Sequence, residues 1–223
     1  MTKRTLLLLA SNSPRRRELL SLSNWMFSVS VSNVDESQRT GEAPADYVLR
    51  LAEAKAHAAA ANARPEHIII GADTAVVDGN QILGKPKDMM EATAMLKMLR
   101  GHAHQVYTAL AVLRMNDGRL LMDLCVTNVP MRNYSDEEIE AYVLSGDPFD
   151  KAGAYAIQNS RFHPVQAMKG CATSVMGLPL CHLLRVLRKM DVRPEADLPA
   201  ACQSRLQYQC PVSSAILRGE QIG

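Results

Sequence analysis

Apolar positions along the chain change period repeatedly, and the changes mark the elements. The run "TLLLLA" at 5–10 is continuous and of strand length, so it predicts a buried strand. In "SPRRRELLSLS", Ser13 suits an N-cap and Pro14 the first helical position, which predicts a helix over 14–23. "MFSVSV" at 26–31 alternates and predicts a second strand, and "NVDESQRTGEAP" is a polar loop. Pro44 opens a long helix through "ADYVLRLAEAKAHAAAANA", built of strong helix formers. "HIII" predicts a buried strand ending in "GAD". "TAVV", the turn "DGN" and "QIL" then predict a hairpin.

Asp88 caps a predicted helix over 89–100, closed by Gly101. Residues 105–114 and 119–131 predict two strands joined at "NDG". Ser135 and Glu138 have capping-box spacing for a helix running to Leu144. "SGDPFDKAGAYAIQNS" reads as a loop, and Pro179 stands at the first turn of a last helix ending near Met190. Strands and helices interleave, so the expected fold is α/β with a mixed central sheet. Periodicity weakens after Met190. Residues 1–190 are therefore read as one domain, and 191–223 as a tail with no element assigned.

Composition narrows the partners. A net charge of +2 gives no overall bias toward nucleic acid or membranes, so any basic site must be local. One Trp and three Phe are too few for base-stacking platforms. The five Cys form no C-x-x-C pair and are odd in number, which fits free thiols in a reducing cytoplasm. The run after Lys3 and Arg4 imitates a signal peptide but is too short for one. No segment approaches the roughly 20 apolar residues of a membrane span.

Several positions break the pattern. Arg15, Arg16 and Arg17 fall in the first turn of a helix, the end that already carries partial positive charge. Either they meet an anion together with the helix N–H groups, or they pair with surface carboxylates, Glu18 among them. Lys55 lies on the apolar stripe of Val48, Leu51, Ala52 and Ala59, so it either snorkels to water or faces a buried anion. Asp73 closes "HIII" through "GA", where ligands of α/β sheets collect; a divalent metal, a general-base role and a plain turn role all remain open. Asp35 and Glu36 offer a second carboxylate for a metal or are solvated loop acids. Lys85, in "LGKP", sits where a phosphate or only solvent can meet it. Gln158 closes "DKAGAYAIQ", a loop of small and polar residues, and its amide suits a base edge. His102 and His104 lack zinc-pair spacing and read as structural or surface residues. Several cations, one or two carboxylates and an amide together suit a nucleoside triphosphate with a divalent metal.

With those residues in view, the chain resembles the Maf family of nucleotide pyrophosphatases from about Leu7 to Leu187. The resemblance is carried by "ASNSPRRRELL", "VDES", "YVLRLAEAKA", "IIGADTAVVDGNQILGKPKD", "MLRGHAHQVYTALAV", "GDPFDKAGAYAIQ" and "GLPL". It implies hydrolysis of a nucleoside triphosphate to monophosphate and pyrophosphate, assisted by Mg²⁺ or Mn²⁺. It also implies a fold like that of the inosine-triphosphate pyrophosphatases, a long mixed sheet with helices around a cleft, and often a homodimer. Carried over by motif, Asp73 looks like the catalytic base. Ser11, Arg15, Arg16, Lys55 and Lys85 look like the substrate shell, and Glu36 with Asp73 like the metal ligands. "GADT" with "DKAGAYAIQ" is similar to the members acting on dTTP and UTP, with Arg15, Thr74 and Gln158 as selectivity positions. The implied alternatives are another or modified nucleotide, such as 7-methyl-GTP, and a nucleotide-sensing regulator of cell division. The chain departs from that subtype at Ala156, where Gly is usual, and at "NSRFHP", which replaces a Gly-rich stretch.

Overall fold

The computed structural model describes residues 6–31, 33–194 and 196–223. Lys3, Arg4 and Thr5, which entered the expectations above, lie outside them. Five strands, β1 (Leu6–Ala10), β2 (Phe27–Val29), β3 (His67–Asp78), β5 (Ala103–Arg114) and β6 (Arg119–Pro130), form one sheet in the order β2-β1-β3-β5-β6. A short β4 (Gln81–Leu83) pairs with β3. The β2–β1 and β1–β3 pairs are parallel, and the β3–β5 and β5–β6 pairs antiparallel. This is the mixed central sheet expected. Alternation along β1 and β3 sends side chains to both faces. Leu7, Leu9, Ile68 and Ile70 join a core with α1 (Pro14–Ser21) and α6 (Leu180–Arg188). Leu8, Ala10 and Ile69 join the opposite core under α2 (Pro44–Ala60). The far halves of β3, β5 and β6 carry a third cluster with α3 (Met89–Leu99) and α4 (Asp136–Leu144).

The local signals hold where capping chemistry is explicit. Ser13 accepts from the Arg16 N–H, Asp88 accepts from the Glu91 N–H, and the Ser135–Glu138 box is made in both directions. Gly101 takes a φ of 76° after α3, the left-handed turn that a helix stop requires.

Two expectations are corrected. "HIII" and "TAVV" are one strand of 12 residues, so Asp73 sits within β3 rather than closing it. Its register against β5 is unbroken from Ile68 to Val77, because nothing in "GADT" interrupts the ladder. The parallel neighbour β1 stops at Ala10, opposite Gly71. Asp73 therefore emerges just beyond the carboxyl end of β1, which restores the logic of ligand placement in another form. Residues after Met190 are also structured. They carry α7 (Leu198–Leu206) and α8 (Ser213–Arg218), and Val192, Leu198 and Cys202 enter the α1/α6 core. Between them and α4 lies α5 (Ala172–Val175), a single turn.

Candidate functional site

Beyond the end of β1, the sheet opens into a cleft of about 570 Å³ between α1, α2, β3 and the 147–158 loop. Ser11, Arg15, Arg16, Glu36, Lys55, Asp73, Thr74, Lys85 and Gln158 all line it. These residues come from stretches up to 147 positions apart, so only the fold brings them together.

The Lys55–Asp73 contact follows from a close approach of helix to strand. A Cβ at Gly71 would lie 2.2 Å from the Ala52 carbonyl oxygen and 2.8 Å from the Ala56 nitrogen. Glycine at that position and alanines on α2 let the two backbones touch. Asp73, two residues on, points to the same face of β3. Lys55 Nζ then reaches Asp73 Oδ1 at 2.6 Å and Glu36 Oε1 at 2.6 Å. The snorkelling alternative for Lys55 is replaced by this double ion pair. Burial raises the Asp73 carboxyl above the ordinary aspartate range, and the charges of Lys55 and Arg16 only partly offset it. Glu36 also feels burial, but the hydrogen bond and charge of Lys55, with Lys85 and Arg16 behind it, hold it below its usual range. Two carboxyls on one ammonium are thus pushed in opposite directions.

Arg16 is built into the floor of the cleft. Its Nε donates to the Gly177 carbonyl at 2.8 Å. Its Nη1 donates to the Ala72 carbonyl at 2.9 Å and to Ser11 Oγ at 3.2 Å, and its Nη2 donates to Thr74 Oγ1 at 3.2 Å. Four of its five N–H donors are therefore committed to neutral acceptors. Gly177, at a φ of 104°, leaves only 3.3 Å between its would-be Cβ and Arg16 Nε. Thr74 also accepts from Thr108 Oγ1, which ties it to β5. Arg15 behaves differently: its Nη1 donates to Asp150 Oδ2 at 3.0 Å. Neither arginine pairs with Glu18, which bonds Arg205 instead, and Arg17 is exposed. Lys85 and Gln158 are exposed at the mouth.

Three contributors were missed from the sequence. Lys151 is buried and donates to the Asp147 carbonyl, Asp147 Oδ1 and Asp150 Oδ1. It thereby fixes Asp150 opposite Arg15. The adjacent charged pair that opens "DKAGAYAIQ" was the available signal. Tyr47 donates to the Glu36 carbonyl at 2.9 Å, and Arg50 to the Ser37 carbonyl at 3.1 Å, which clamp the acid-bearing loop onto α2. Nothing in the sequence announces that clamp. The "NSRFHP" departure closes compactly: Asn159 Oδ1 accepts from the Arg161 and Phe162 N–H groups, and Phe162 stacks on Tyr142 at 4.3 Å. His102 is exposed beside Asp78, whereas His104 is buried against Tyr155.

Five cations and three carboxylates line one concave surface, which defines an α/β protein with a cleft built to receive a polyanion. More particularly, the chain belongs to the Maf family, described as Maf-like protein, which matches residues 6–190. It is similar to a dTTP/UTP pyrophosphatase of Geotalea uraniireducens (strain Rf4), with 45% identity over 85% of this chain and 97% of that one. It is 42% identical to a dTTP/UTP pyrophosphatase of Hahella chejuensis (strain KCTC 2396), over 86% of this chain and 95% of the relative. Among solved structures it is similar to the Staphylococcus aureus Ham1 protein, with a TM-score of 0.41 and 15% identity over 57% of this chain and 72% of that one. A HAM1 protein from Coxiella burnetii matches with a TM-score of 0.41 and 14% identity over 70% and 89%.

Proposed function

We propose that this chain hydrolyses dTTP and UTP to the nucleoside monophosphate and pyrophosphate. The observation that carries the reading is the convergence of Arg15, Lys55, Lys85 and Asp73 on one cleft in a chain whose relatives are named for that activity. In the proposed mechanism, Lys85, Arg15 and Lys55 neutralise the triphosphate. Arg16, with one donor left, contributes charge and shapes the floor. Asp73, its carboxyl raised by burial, orients and deprotonates the water that attacks the α-phosphorus. Positioning and charge neutralisation supply most of the acceleration. Thr74 and Gln158 face the base.

Glu36 and Asp73 fit a hard divalent cation, since both offer oxygen donors to one point. They would hold Mg²⁺ or Mn²⁺, which when bound neutralises phosphate charge and orients the leaving group. We place the activity in the cytoplasm, in a chain that pairs with a second copy and needs neither membrane nor nucleic acid. Among the described residues no helix is long and apolar enough to cross a membrane. The test is a nucleotide panel with Mg²⁺ or Mn²⁺, scoring both products. Monophosphate and pyrophosphate from dTTP and UTP are expected. Orthophosphate with a diphosphate refutes the bond assignment, and preference for 7-methyl-GTP refutes the subtype.

A further inference from the structure

The Lys55 ammonium stands 2.6 Å from both Glu36 Oε1 and Asp73 Oδ1, on the point toward which the two candidate metal ligands converge. No group of three or more His, Cys, Asp or Glu able to hold a metal occurs among the described residues. A divalent cation at Glu36 and Asp73 would therefore complete its coordination with neutral oxygens, water and the phosphates among them, as Mg²⁺ commonly does. The cleft lining is also net positive, with five cations against three carboxylates. That balance repels a bare dication and attracts a triphosphate. The lysine stem is long and flexible, so its ammonium can move from a carboxylate to a neighbouring phosphate oxygen without moving the helix.

We infer that Lys55 is the resident counter-cation of the Glu36–Asp73 pair, and that it excludes the divalent metal until the nucleotide's phosphates draw it away. This rests on the pyrophosphatase reading for the identity of the nucleotide, but not for the competition itself. In the nucleotide-free chain the ammonium keeps two carboxylates from repelling each other and keeps the carboxylate pair closed to free metal. When a triphosphate enters, its oxygens take over the ammonium, and the vacated pair accepts the metal with the phosphates supplying further ligands. Metal and nucleotide then bind cooperatively, because each removes the obstacle to the other.

The experiment is a titration of Mn²⁺ alone into the full chain, following loss of the free-Mn²⁺ electron paramagnetic resonance signal. Lys55→Met is expected to bind Mn²⁺ about tenfold or more tightly than the parent, since one competing charge is gone. Adding Glu36→Gln to that variant should return binding to the parent level. Equal or weaker Mn²⁺ binding by Lys55→Met overturns the inference. The parent alone gives a second measurement should the variant fold poorly. Its melting temperature should rise with Mn²⁺ plus α,β-methylene-dTTP by more than the separate rises combined. A rise with Mn²⁺ alone as large as with both overturns the inference. Pyrophosphate release from dTTP is scored separately. A chain that hydrolyses dTTP but shows no competition loses only this inference, whereas one that shows the competition without hydrolysis loses only the pyrophosphatase reading.

Discussion

Arg15 and Arg16 are adjacent and chemically identical, yet the fold gives them different work. Arg16 satisfies two backbone carbonyls and two hydroxyls, so its loss leaves buried acceptors unmatched. Arg16→Ala should lower stability by about 1–3 kcal/mol, read by chemical denaturation. Arg15 makes an ion pair with a largely exposed Asp150, the kind worth about 0–1 kcal/mol. Arg15→Ala should therefore melt almost with the parent while losing most turnover of dTTP. Equal melting of the two variants would mean that Arg16 is not the structural member. The sequence made the arginine turn conspicuous but could not divide the labour, because the Ala72 and Gly177 carbonyls lie 56 and 161 residues away. Asp73 carries a separate expectation. Asp73→Asn keeps the shape and removes the basicity, so turnover should fall about 10²–10⁴-fold. Near-normal turnover in the Asn variant would take Asp73 out of the chemistry.

Among the elements, the α2–β3 contact sets the geometry of the site, and it rests on a glycine. Gly71→Ala places a methyl against α2 backbone atoms that have no rotamer to yield with. Overpacking of this kind costs about 1–3 kcal/mol or more, and it also pushes Lys55 away from Asp73. The variant should lose stability in denaturation and turnover together. An alanine accommodated without either loss would show that the helix is free to retreat. The contact explains which elements were legible. Caps at Ser13, Asp88 and Ser135 depend on residues three apart and are read directly from the sequence. The length of β3 depends on β5 across the sheet, so "GADT" could not be assigned as strand from its own residues. The helices after Met190 were hidden for another reason: Pro, Ser and Gln, 10 of the 33 residues there, break up the apolar period. Asp197 nevertheless caps α7 by accepting from the Ala200 N–H, and Leu198 and Cys202 stand one turn apart facing the core. That pattern was present, but so short that composition outweighed it.

At the level of the whole molecule, the segment after Met190 is fastened by charge. Arg185 and Asp123, both buried, form a two-pronged pair at 2.5 Å between α6 and β6. Arg185 also donates to the Ile216 and Glu220 carbonyls, so the same guanidinium anchors α8. Asp123→Ala leaves that charge uncompensated and should cost about 3–5 kcal/mol in denaturation, whereas an exposed pair would cost almost nothing. Acid should loosen the fold through two other buried groups. Burial pushes His104 and His182 down to about 4 from an ordinary value of 6.5. In the unfolded chain both take a proton near 6.5, while in the folded chain they stay neutral until about 4. The unfolded state therefore binds more protons in this window, and stability is lost as pH falls. Between pH 7 and pH 5 each histidine should remove about 2 kcal/mol. His102 works the other way, since its hydrogen bond to Asp78 raises it and gives stability below pH 6.5. His102 itself is exposed, so its offset is small. Carboxylates held below their ordinary range, such as Glu36, do not enter, because both their folded and unfolded values lie below this window, whereas Asp73, raised by burial, offsets part of the loss. Denaturant midpoints measured at pH 7, 6 and 5 should fall steadily, and His104→Gln should remove about half of the slope. A stability that is flat or rising over that range would mean that both histidines take up protons inside the folded chain.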